Sequence, residues 1–257
     1  FAGTANASDI IGSVKISTLN AGPVNLVQDI SETAEVTSGK LTARNIAKVT
    51  TVTGGELVAN DLAKSLVASG GKSTVHNVAE GVSIGNGSTV VVLDGGTITG
   101  DVKNSVGANV GTLKFNANAT VTGTIGEEDK ALKLVEVTGA GDVALDGKTH
   151  RSEEFNFANN AARLVIADGG KLVGNLTAAV GGNGQVQFTK VGEIEGTIGV
   201  DGTAFGSVEA NGVGAVTIGA GDHYAKFEAK DTDASFIMED KANVNGTIDN
   251  TFGAGSK

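Results

Sequence analysis

The sequence predicts an all-β fold, a right-handed parallel β-helix, and three observations carry that expectation. They are 39 glycines against a single proline, short runs in which apolar and polar residues alternate, and one phrase that recurs at a long, nearly constant spacing. Glycine-rich chains with abundant Val, Thr, Ala and Asn favour short strands joined by turns over long helices. The phrase is GTLKFNANATVTGTIG at residues 111 to 126 and GQVQFTKVGEIEGTIG at residues 184 to 199. Within it, Leu113-Lys114-Phe115 and Val186-Gln187-Phe188 alternate in the way that sends one set of side chains inward and the other outward on a strand.

Five short phrases set the register: Gly100-Asp101-Val102, Gly123-Thr124-Ile125, Gly174-Asn175-Leu176, Gly196-Thr197-Ile198 and Gly246-Thr247-Ile248. A short interval alternates with one more than twice as long, and each neighbouring pair combines into a superrepeat of about 73. Apolar columns accompany it: Val90, Leu164 and Phe236; Val92, Ile166 and Met238; Ile98, Leu172 and Val244. Three coils of about 24 residues per superrepeat then stack into a solenoid of ten or eleven coils, with residues 1–257 forming a single β-helix segment. Glycines take the corners, where positive φ costs them little. Val92, Ile166 and Met238 should face the core, and Thr124 should point outward. A β-sandwich competes with this reading but gives no reason for a constant 73-residue register.

The first copy is short. Leu62 precedes His76 by fourteen positions, whereas Ile125 precedes His150, and Ile198 precedes His223, by twenty-five. Eleven positions are missing, and a shortened corner or loop is expected there.

Charge narrows the partners. The chain has 19 Lys and Arg against 29 Asp and Glu, a net charge of -10, so it lacks the basic footprint that nucleic acid requires. With no cysteine it can form neither disulfides nor thiolate metal sites. No apolar run approaches the roughly 20 residues of a membrane helix. Because the chain begins at Phe1, it is expected to be a processed or excised piece.

Candidate chemical residues are distributed along the chain. His76, His150 and His223 precede Gly100, Gly174 and Gly246 by the same interval to within one position, about one coil. In a 24-residue coil these histidines stand three coils apart, roughly 14 Å at about 4.8 Å per coil, too far to share a zinc ion. Corner positions inherited by duplication are the expected reading. Asp94, Asp168 and Asp240 form a similar column of turn residues. Glu127-Glu128-Asp129 and Glu153-Glu154 are the closest carboxylate clusters, read as loop solvation in preference to a cation or substrate site. Gly181-Gly182-Asn183-Gly184 lacks the aspartate of the β-roll calcium pattern. Asn118-Ala119-Thr120 and Asn245-Gly246-Thr247 are chance acceptor triplets in an Asn- and Thr-rich chain. No catalytic residue, cofactor or metal site is assigned.

The repeated phrases, clearest from about residue 90 to residue 250, resemble those of bacterial autotransporter passengers, especially rickettsial surface cell antigens such as outer membrane protein B. The resemblance implies export, a C-terminal β-barrel translocator and flanking passenger segments outside this chain, and display on the cell surface as adhesin, stalk or surface layer. A host-cell receptor or copies of the chain itself are then the expected partners. Two alternatives belong to other classes: a β-helical polysaccharide lyase or hydrolase, and a self-assembling filament subunit outside that family. Sugar-cleaving grooves combine close carboxylates with aromatic platforms, and this chain has no Trp and one Tyr, Tyr224. The non-enzymatic reading is therefore preferred.

Overall fold

The computed structural model describes residues 6–7, 12–17, 24–26 and 29–250. Among the described residues it is all-β with no helix, and its parallel strands stack as a β-solenoid of about 11 turns averaging about 21 residues. Two compact units are distinguished, Phe1–Phe115 with Ala119–Lys133, and Asn116–Asn118 with Leu134–Lys257.

Unit 1 is built on a coil shorter than the sequence pattern predicts. Strand Ala34–Val36 pairs in parallel with Thr50–Val52, that with Leu66–Ala68, and that with Val82–Ile84. Lys40–Ile46 pairs in the same way with Glu56–Leu62 and then with Lys72–Val78. Each step advances the chain by sixteen positions, so the expected shortfall of eleven is a change of coil length and not one clipped corner. Five inward ladders result, two of them Val36-Val52-Ala68-Ile84 and Ile30-Ile46-Leu62-Val78-Ile98. All nine of these residues are buried, and each large one contributes roughly 1.5 to 3 kcal/mol of transfer free energy.

One corner shows why glycine recurs. Gly39, Gly55 and Gly71 all hold φ near 70°. A Cβ on Gly55 would stand 2.4 Å from the Gly39 carbonyl oxygen, so backbone passes where a side chain would need to be. Outside, opposite charges meet on adjacent coils, as in Lys40 with Glu56 at 3.3 Å and Lys15 with Glu35 at 2.8 Å. Such exposed pairs are worth at most about 1 kcal/mol each and serve mainly to avoid like-charge stacking. The coil then lengthens. A register shift lies between Val92 and Thr97 in strand Thr89–Ile98, and Val90 pairs with Leu113, a step of twenty-three positions.

Unit 2 uses the longer coil throughout. Val143, Leu164, Val186, Val208, Phe227 and Ile248 form one ladder, in steps of nineteen to twenty-two positions. His150, Leu172, Ile194, Ile218 and Met238 form another. Phe155, Leu176, Ile198, His223 and Val244 form a third, with a longer step between Ile198 and His223. These registers replace the three-coil superrepeat. The sequence pattern puts Leu172 in one column with Val244, yet three coils carry it to Met238. Leu164 leads to Phe227, whereas Phe236 stacks on Val216 and Gly192. The 73-residue step therefore runs through three of these shorter coils and then advances one strand further around the coil. Apolar character recurs at that step because most inward positions are apolar, not because the residues are stacked.

The inward assignments of Val92 and Ile166 agree with their complete burial. Met238 also lies on an inward ladder, but in the last described coil it stays partly exposed, and Thr124 is half-buried.

Candidate functional site

Repetition of the sixteen-residue coil gathers Asp29, Asn45, Asp61 and Asn77 into one column on unit 1. Each stands immediately before an inward residue, Ile30, Ile46, Leu62 or Val78, and two positions before a small one, Ser31, Ala47, Ala63 or Ala79. The small side chains leave a shallow groove of about 420 Å³ crossing four coils, lined by the polar column, by Ile30, Ile46 and Leu62, and by Ser31 and the alanines.

Acid and amide alternate down the column, so no two carboxylates are neighbours. Arg44 Nε and Nη2 donate to Asp29 Oδ1 and Oδ2 at 2.8 and 2.9 Å, a bidentate clamp. That guanidinium holds the Asp29 carboxyl below the usual carboxylate range. Asn45 Nδ2 donates to Asp29 Oδ1 at 2.9 Å. Asp61 accepts from Asn77 Nδ2 at 2.6 Å and from Asn60 Nδ2 at 2.8 Å, and Asn77 Oδ1 accepts from the Thr97 amide at 2.9 Å. A general acid or base needs a carboxyl free to exchange a proton with substrate near working pH. Here Asp29 is held ionised by its clamp and Asp61 is occupied by two amides, so the groove offers fixed dipoles and methyl groups. That arrangement suits contact and not proton transfer.

The residues singled out by sequence do not converge. His76 is half-buried beside the groove, its Nδ1 2.9 Å from Asn77 Nδ2. His150 and His223 are fully buried in unit 2 and lie on different ladders, so their common spacing from a glycine does not put them in one column. Their environments nevertheless match. Nε2 of His150 lies 3.1 Å from the Asp146 carbonyl oxygen and Nε2 of His223 lies 2.9 Å from that of Gly219, while both Nδ1 atoms are buried without a partner. Burial pushes the His150 imidazole below its ordinary value. Asp168 and Asp240 occupy corner turns, and Asp94 lies in the irregular part of strand Thr89–Ile98. Glu127 pairs with Lys103 at 3.1 Å in a tight turn with Glu128 and Asp129. Glu153 and Glu154 fall on strand Thr149–Phe157, where Glu154 accepts from Asn156 and from the Thr177 hydroxyl.

Within the Gly181–Gly184 run, Gly184 has a packing explanation: a Cβ there would meet the rings of Phe205 and Phe157 at 2.5 and 2.7 Å. Among the described residues no group of three or more His, Asp and Glu is placed to hold a metal ion. The groove is what sequence reasoning misses. Its signal is the recurrence of NIAK at residues 45–48, DLAK at residues 61–64 and NVAE at residues 77–80, each one short coil after the last.

These features define the class of protein as a β-solenoid with a periodic polar groove on its shorter coils. No family model matches the chain, and neither curated proteins nor solved structures give a match.

Proposed function

We propose that the chain is a non-catalytic segment of a bacterial surface protein, exported and displayed as an adhesive or structural scaffold, with the unit 1 groove as its contact surface. The observation that carries this reading is the repetition of the groove. Contact is spread over four equivalent coils whose carboxylates already have partners, which suits an extended surface better than a reaction centre. Export and surface display rest on the resemblance of the repeated phrases to autotransporter passengers. A host-cell receptor is the expected occupant of the groove, and copies of the chain are the second expected partner.

The experiment measures binding of the purified chain to cultured host cells and to itself, beside its action on anionic polysaccharides. Binding without turnover is expected, and Ala63→Trp, which fills the groove at an exposed position, should weaken cell binding at least about tenfold while leaving the melting temperature unchanged. Polysaccharide cleavage that disappears on replacing Glu127, Glu128 and Asp129 would overturn the proposal.

A further inference from the structure

His150 occupies an inward position that every later member of its ladder fills with an aliphatic or thioether side chain: Leu172, Ile194, Ile218 and Met238. It is completely buried. Its two nitrogens have unequal surroundings. Nε2 faces the corner at residues 146–148, with the Asp146 carbonyl at 3.1 Å and Asp146 Oδ1 at 3.6 Å. Nδ1 is buried with no hydrogen-bond partner. The neutral ring fits, because one N–H is satisfied at the corner and a bare nitrogen in an apolar core costs comparatively little. A protonated ring would carry a second N–H with nothing to accept it, together with a charge inside the solenoid.

The charged groups around it offer little relief. On its own corner are Asp146 and Lys148: Asp146 Oδ2 is paired with Lys148 at 2.9 Å, and its Oδ1, buried without a hydrogen-bond partner, is the one carboxylate oxygen beside the ring. On the strands packed beside it, Asp142 is paired with Arg163, and Lys171 with Glu193 and Glu195. On its own strand, Arg151, Glu153 and Glu154 are exposed or half-buried, as is Glu136 on the paired strand Leu132–Val137, and Asp168, on the corner packed against Gly147, is paired with Lys190 at 3.4 Å. Asp146 alone favours the charged ring, and burial outweighs it.

We infer that His150 is an acid-sensitive lock on unit 2: protonation loosens the corner at residues 146–148 and the strands it joins, Gly141–Leu145 and Thr149–Phe157. The direction follows from linkage. The ring binds its proton less readily folded than unfolded, so its contribution to stability is intact above the ordinary histidine value of 6.5 and is lost as pH falls below it toward the depressed folded value. One proton taken up on opening shifts the closed-to-open ratio by up to about tenfold per pH unit in that window. The histidine of unit 1, His76, is half-buried and lies outside the core.

The test is hydrogen exchange of the whole chain between pH 7.5 and 5.5, corrected for intrinsic rates. Two variants accompany the wild type: His150→Leu, which the ladder should accept in place of leucine-sized neighbours, and His150→Gln, which keeps a donor that does not titrate. Protection of amides in residues 141–150 should fall by up to about tenfold per pH unit in the wild type and stay level in either folded variant, while amides of residues 50–62 stay level throughout. If neither variant folds, the ring-proton titration of His150 in the native wild type decides. Titration below the ordinary value, with loss of the 141–150 signals as the proton binds, supports the lock. Titration at the ordinary value, wild-type protection that is level across the range, or an undiminished response in both variants would overturn it.

Discussion

The two units solve the same packing problem at different coil lengths. In unit 1, between Ala34 and Gly81, the coil takes sixteen positions, and its ladders are filled by Ala, Val, Leu and Ile, with Thr50 and Ser73 among them. In unit 2 the coil lengthens to twenty-two, as from Leu164 to Val186 and from Leu172 to Ile194, and among its described residues five fully buried phenylalanines appear: Phe155, Phe157, Phe188, Phe205 and Phe227. The sixth, Phe115, belongs to unit 1 but sits where its coil has already lengthened. A longer coil encloses a wider cross-section, and native packing density requires more side-chain volume to fill it. Rings supply that volume, and glycines make room for them. A Cβ on Gly192 would stand 2.0 Å from the Phe188 ring, and Phe157 and Phe205 meet edge to face at 5.0 Å. Coil length and core composition are therefore one property.

Substitutions can break this comparison. The largest effect is expected for Ile166→Asp in unit 2, which would bury an unpaired carboxylate on the ladder Leu145, Ile166 and Phe188, at a cost on the order of 4 kcal/mol. An unchanged melting temperature would show that Ile166 does not face the core. Phe188→Ala should cost about 3 to 5 kcal/mol, because Ala210 and Gly192 beside it cannot expand into the space. In unit 1 the matching deletion is smaller: Val52→Ala removes less volume from a narrower core and should cost about 1 to 2 kcal/mol in urea unfolding. Equal costs at the two sites would contradict the link between coil length and core volume.

Backbone and polar effects follow. Gly55→Ala should destabilise unit 1 by about 1 to 3 kcal/mol, through positive φ and the clash with the Gly39 carbonyl. Thr50→Val should stabilise it by about 1 kcal/mol, because the buried Thr50 hydroxyl has no hydrogen-bond partner. A destabilised Thr50→Val variant would mean that this hydroxyl is satisfied in solution. Smallest of all, Lys40→Ala breaks an exposed rung and should shift stability by less than about 0.5 kcal/mol.

The strands, the glycine corners and the parallel stacking are legible in the sequence, because alternation and positive-φ glycines are local signals. Coil length is less so. Most inward positions are apolar on every ladder, so a 73-residue register linking Leu172 to Val244 looks as regular as the true one linking Leu172 to Met238. The sixteen-residue coil is hidden for the opposite reason: its core residues drift through Thr50 and Ser73, and the constant marks are small ones, Gly39, Gly55 and Gly71 with Ala47, Ala63 and Ala79. The histidines are legible as unable to converge on an ion. That His150 and His223 point inward is not, since a polar residue on a strand has no sequence mark of the face it takes.

The account is tested most directly by removing residues 50–65 as one block. A solenoid with a sixteen-residue coil loses one coil and closes again, bringing Val36 onto Ala68, Ala43 onto Val75 and Ile46 onto Val78, so the shortened chain should keep its β-sheet signal and a cooperative unfolding transition. Removing residues 50–57 takes half a coil, throws every ladder out of register and should abolish that transition. A chain lacking residues 50–65 that folds no better than one lacking residues 50–57 would contradict the stacked-coil architecture.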